Sequence, residues 1–167
     1  MEPLVTLVAV SVVAFVVCLV RGTPAAPLRT AVRTGLAAMF LLTGFVHFAF
    51  LRADLVAMVP PWLPAPGLLV TLTGLAEWAG AIGLLVPRLR LLAAGGLTLL
   101  LAVMFPANVH VALTGENLPW WDELPWRTAM QAIFLAAAVT VLVGEVRRRS
   151  AKGESSGDLE VVRGNAG

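Results

Sequence analysis

A chain of 167 residues, 59% of them hydrophobic and 13% charged, with a mean hydropathy of +0.88, is too apolar for a soluble domain, which averages about half apolar and about a quarter charged. This is the composition of an integral membrane protein. The formal charge of +2 argues against a nucleic-acid partner, and the single Cys18 excludes an intrachain disulfide and any C-x-x-C dithiol chemistry within one chain.

Five apolar stretches follow one another: about Leu4–Val20, Ala31–Leu51, Leu68–Val86, Leu91–Leu113 and Thr128–Val143. At about 1.5 Å per residue, roughly 17 to 23 residues cross a hydrocarbon core of about 30 Å, so each is predicted to span. The last is short and is expected to begin at Pro125 or Trp126. The first opens Met-Glu-Pro, with no basic n-region, and positive charge follows it, which favours a retained anchor over a cleaved signal peptide. The expected fold class is all-α, a transmembrane helical bundle of five spans. Its expected parts are an extra N-terminal anchor (1–22), a four-helix membrane domain (29–146) and a charged tail (147–167) whose composition predicts disorder.

The connections divide by charge. Arg21, Arg29 and Arg33 lie in the first, Arg88 and Arg90 in the third, and Arg147, Arg148, Arg149, Lys152 and Arg163 follow the last stretch. The second and fourth hold only Arg52 and Arg127, at span edges, with Asp54, Glu116, Asp122 and Glu123. The positive-inside rule then places the chain in the cell membrane with its amino terminus outside and its carboxyl terminus in the cytoplasm. Trp62, Trp120, Trp121 and Trp126 fall in the two outer connections and read as an interfacial belt. Pro60, Pro61, Pro64 and Pro66 stiffen one of these, Pro119 and Pro125 the other, as suits a lid fixed over the outer mouth.

Within the spans a few polar residues stand out, Glu77 above all. A charge at membrane depth costs roughly 2.5 to 3.5 kcal/mol even on the lenient insertion scale, so such groups are as a rule paired, protonated or functional. The second stretch contains Leu42-Thr43-Gly44-Phe45-Val46-His47, the third Leu72-Thr73-Gly74-Leu75-Ala76-Glu77. In both, Thr and Gly lie one turn before the ionisable residue and share its face, where small residues allow close helix approach. The fourth carries a ridge of Ala94, Thr98, Ala102, Pro106 and His110. Pro106 should kink that helix, and Asn108 lies about 200° from His110, so both cannot face inward unless the kink rotates one. In the fifth, Arg127 and Gln131 share a face. From the rise per residue, His47 lies about 6 Å below the outer end of its span, His110 about 5 Å and Glu77 about 14 Å.

These residues suggest a polar cluster in which Glu77 and His47 handle protons while His110, Asn108, Arg127 and Gln131 bind a ligand. A structural reading stands beside it. Glu77 could be a salt bridge to Arg127 that only holds the bundle, His47 an interfacial hydrogen-bonding residue, Arg127 a helix cap at the headgroups, and Gln131 a tie between helices. Two histidines and a carboxyl could supply three metal ligands or a bis-histidine haem site. No pair of ligands sits at i, i+3 or i+4, so no metal is expected.

From about Arg33 to Val143 the chain resembles the DoxX family of small four-helix membrane proteins. The matching segments are Gly44-Phe45-Val46-His47-Phe48, Val59-Pro60-Pro61-Trp62-Leu63-Pro64, Gly74-Leu75-Ala76-Glu77, Gly83-Leu84-Leu85-Val86-Pro87, Phe105-Pro106-Ala107-Asn108-Val109-His110 and Arg127-Thr128-Ala129-Met130-Gln131. The first apolar stretch lies outside it. The resemblance implies a DoxX-like four-helix core and maps the family's polar positions onto His47, Glu77, Asn108, Arg127 and Gln131. It also implies a setting beside membrane redox complexes, since the family takes its name from a subunit associated with a thiosulfate:quinone oxidoreductase. Most members have no assigned activity. The expected function is that of a quinone-linked redox accessory subunit or a small-molecule-binding membrane protein. No intrinsic redox cofactor is evident in the sequence, and a quinone is the class of molecule this setting implies. Expected partners are membrane lipids, proteins of a membrane redox complex and further copies of the chain. The alternatives are a non-enzymatic scaffold or assembly factor, and a carrier that would need oligomerisation.

Overall fold

The computed structural model describes residues 1–22, 27–49, 51–115 and 119–164, with side chains as far as Lys152. The acidic residue Glu116 lies outside the described residues, as do the last three of the tail. Among the described residues the fold is all-helical: α1 (Glu2–Val20), α2 (Pro27–Val46), α3 (Arg52–Met58), α4 (Pro66–Leu85), α5 (Arg90–Thr114), a 3-10 turn (Trp120–Asp122) and α6 (Leu124–Gly164).

Four of these are long and apolar enough to cross a membrane: α1, α4, α5 and the Leu124–Lys152 part of α6. The expected second span corresponds to α2, which is not among them. Arg29 and Arg33 in its first two turns dilute its apolar character, and it stops at Val46 instead of running on to Leu51. The stop has a visible cause. Arg52 donates from Nη1 to the carbonyl of His47 (3.1 Å) and from Nη2 to the Gly67 carbonyl (3.1 Å) and the Thr71 hydroxyl (2.9 Å). One guanidinium thus satisfies a carbonyl just past the end of α2 and ties it to the start of α4. The chain between them forms α3, which packs on α4 and α5 and which the sequence reading did not anticipate.

α2 sits at the centre, packed against α1, α4 and α6, while α5 packs between α4 and α6. Leu36, Met39 and Phe40 of α2, Leu84 of α4, Leu97 of α5 and Val141 of α6 form the fully buried core. Small residues set the spacing: Gly35 faces Leu7 and Ser11 of α1, Gly44 faces the Trp78 indole, and Gly80 and Gly83 of α4 face Leu97 and Ala93 of α5. With no solvent-driven force between apolar helices in lipid, such close backbone approach is what holds them together. α1 buries only Leu7 and docks mainly on α2.

At the entry to α4, Ala65 takes a left-handed conformation (φ +51°, ψ +57°) immediately before Pro66. α6 continues to Gly164, so the backbone past Arg147 is helical where composition predicts disorder.

Candidate functional site

The ends of α2 and α5, the middle of α4 and the starts of α1 and α6 meet beneath α3, around a cavity of about 530 Å³. His47, Glu77, Asn108, Arg127 and Gln131 all line it, with Glu2 and Thr43, and the rest of its wall is apolar, including Met39, Phe40, Met104 and Phe134. The volume falls in the range of small-molecule sites, about 300 to 1,000 Å³, and the mix of apolar wall and few convergent polar groups is typical of them. A second cavity, sharing Glu2, Leu55, Met58 and Arg127 with the first, lies toward Trp121 and Asp122.

Two helix pairs supply the polar groups. On the α2–α4 side, Glu77 is 4% exposed, and its Oε2 lies 3.7 Å from Nδ1 of His47. That is too long for a hydrogen bond. Nδ1 instead donates to the carbonyl of Thr43 at 2.9 Å. A carbonyl only accepts, so Nδ1 carries the proton and the proton-poor nitrogen of neutral His47 is Nε2. Oε2 of Glu77 is buried without a hydrogen-bond partner among the described residues, although the Thr43 side chain lies beside the carboxyl.

The differing depths read from rise per residue do not keep these two apart. Helical side chains lean toward the N-terminus of their own helix. α2 and α4 run in opposite directions, so His47 and Glu77 lean toward each other. Gly74 permits the contact, with the Cβ and Cγ of His47 filling the space where a side chain would be.

On the α5–α6 side the groups satisfy one another. Arg127 donates from Nη1 to Oδ1 of Asn108 (3.2 Å) and from Nε to the carbonyl of Asp122 (2.9 Å). It also ion-pairs through Nη2 with the Asp122 carboxylate at 3.0 Å. Asn108 donates to Oε1 of Gln131 (3.4 Å), and Gln131 donates to the carbonyl of Leu101 (2.6 Å). α5 remains one helix across Pro106.

Of the six residues read as a site, five meet at the cavity and His110 does not. With Asn108 and His110 about 200° apart on one helix, Asn108 is the one that faces inward; His110 is half-buried, and its carbonyl accepts from the Thr114 hydroxyl at 2.8 Å. The pairing of His47 with His110 is therefore replaced by His47 with Glu77. Arg127 pairs with Asp122, so the alternative of a Glu77–Arg127 salt bridge does not form either. Among the described residues, no three His, Cys, Asp or Glu side chains are grouped to hold a metal ion. The sequence reading missed Arg52, whose partners lie 15 and 19 residues away. It also missed Glu145, buried at the other end of the bundle.

One family model matches the chain, described as a domain of unknown function (DUF8561), over residues 36–141. The match covers the second half of α2, all of α3, α4 and α5 and the first part of α6, and so every residue of the cavity except Glu2 and Pro3. No curated protein and no solved structure matches the chain.

Proposed function

The chain belongs to the DUF8561 family, and we propose that it is a multi-pass membrane protein that binds a small amphipathic molecule with a carbonyl or hydroxyl headgroup, a quinone or quinol being the best fit. One observation carries this reading: the buried Oε2 of Glu77, without a partner among the described residues, in the wall of a largely apolar cavity. Buried polar atoms are almost always hydrogen-bonded, and a headgroup hydroxyl would supply the missing donor. Glu77 and His47 then exchange protons with the bound headgroup, and Asn108 and Gln131 orient it, with Arg127 setting the local potential. Electrons pass to or from a partner in a membrane redox complex, the setting that the resemblance to DoxX proteins implies. In this reading α2 crosses the bilayer as a fifth span, with Arg29 and Arg33 at headgroup level. The basic end faces the cytoplasm, as the positive-inside rule requires.

A second reading has its own support. Arg127, Asn108 and Gln131 are bonded within the protein, and Gln131 links α6 to α5, as a scaffold or assembly factor would need. The two readings separate in a titration of protein in lipid nanodiscs with a short-tailed quinone analogue in its reduced, quinol form, whose hydroxyl can donate to Glu77. The ligand reading expects saturable binding that Glu77→Gln weakens by about tenfold, the equivalent of one hydrogen bond of roughly 1.4 kcal/mol, with thermal stability preserved. No binding to wild type, together with a lowered melting temperature for Glu77→Gln, would establish the scaffold.

A further inference from the structure

At the end of the bundle remote from the cavity, α2, α5 and α6 bring a second polar group together. Glu145 of α6 is 2% exposed. It accepts a hydrogen bond from Nε of Arg148 at 2.7 Å and lies 3.7 Å from Nη1 of Arg33. Arg90, at the start of α5, lies close enough to Arg33 for their charges to interact. Two guanidinium groups therefore meet one carboxylate, with a third beside Arg33, leaving a surplus of positive charge. The donors are in surplus too, because Nε of Arg33 and Nε of Arg90 are buried with no acceptor. Two further arginines frame this group through backbone carbonyls: Arg29 donates to Gly144 (3.3 Å) and Arg149 to Arg88 (3.1 Å).

We propose that Arg33, Arg90 and Arg148 form a phosphate-binding site, filled by the headgroup of an anionic phospholipid or by free phosphate. A phosphate carries the acceptor oxygens that these donors lack, and the planar fork of arginine matches them bidentately. Basic pockets between membrane helices are suited to anionic headgroups. Glu145 holds Arg33 and Arg148 in position, while Arg90, which makes no ion pair among the described residues, offers its buried Nε to the phosphate.

The test is mass spectrometry of lipid retained by the purified chain from nanodiscs of mixed phosphatidylglycerol and phosphatidylcholine. A parallel arm measures thermal unfolding in phosphatidylcholine discs with and without inorganic phosphate. Arg90→Gln loses no ion pair among the described residues and is expected to fold; Arg88→Gln removes the same charge from a neighbouring side chain outside the site. Enrichment of phosphatidylglycerol on wild type that falls about fivefold in Arg90→Gln, and persists in Arg88→Gln, supports a lipid-filled site. Stabilisation by inorganic phosphate in wild type but not in Arg90→Gln supports the same site filled by free phosphate. An equal loss in both variants, or no effect of either anion on wild type, overturns the proposal.

Discussion

Replacing Gly74 by alanine should disturb the candidate site without touching a polar atom. A Cβ at position 74 would fall 2.6 Å from Cβ and 2.9 Å from Cγ of His47, and 2.9 Å from Cε2 of Phe48. Ordinary carbon contacts are about 3.5 to 4.0 Å, so one side must give by about 1 Å. The Cβ of His47 is fixed to backbone and cannot swing away, so α2 and α4 have to separate where His47 and Glu77 already stand 3.7 Å apart. Overpacking of this kind costs about 1 to 3 kcal/mol. Thermal unfolding in nanodiscs should register it as a lowered melting temperature, and affinity for a quinone analogue should fall by about tenfold, roughly 1.4 kcal/mol. Gly96→Ala is the control, since a Cβ there meets nothing within 4 Å. Its stability should be unchanged or slightly raised by the better helix former. Equal melting temperatures and equal affinities for the two variants would refute the close α2–α4 packing on which the site depends.

Three further outcomes follow from local geometry. Arg52→Ala removes three hydrogen bonds that hold the end of α2 to the start of α4 and should cost about 1 to 3 kcal/mol in thermal unfolding, with faster amide exchange in α3. Ala65→Gly relieves a left-handed alanine and should stabilise by about 0.5 to 1 kcal/mol after the added chain entropy of glycine, seen as a raised melting temperature. His110→Ala lies away from the cavity wall and should leave quinone-analogue affinity unchanged in the same titration that detects Glu77→Gln.

Much of the cavity was legible because membrane depth makes polar residues conspicuous. Glu77 is a carboxyl inside an apolar run, and the glycines one turn before His47 and Glu77 marked the faces on which α2 and α4 approach. What could not be read were choices made by contacts distant in sequence. Asn108 and His110 are both polar and nearly opposite on α5; Arg127 and Gln131, 19 and 23 residues further on, select Asn108 by bonding to it. The end of α2 was equally hidden, because Val46 to Leu51 is apolar enough to continue a helix and the arginine that caps it is held by Gly67 and Thr71. Glu145, next to three arginines in the sequence, was not singled out, because its buried partner Arg33 lies on a helix far away in sequence.

Photo-crosslinking of the nanodisc-embedded chain with an azido-quinone, followed by mass spectrometry of the labelled peptides, tests the central claim most directly. Binding in the cavity predicts adducts on its wall, at Met39, Phe40, Met104 or Phe134, that are competed by unlabelled quinone and reduced in Glu77→Gln. Labelling confined to exposed apolar positions such as Leu92, Leu99 and Val103, indifferent to competitor and to Glu77, would contradict it.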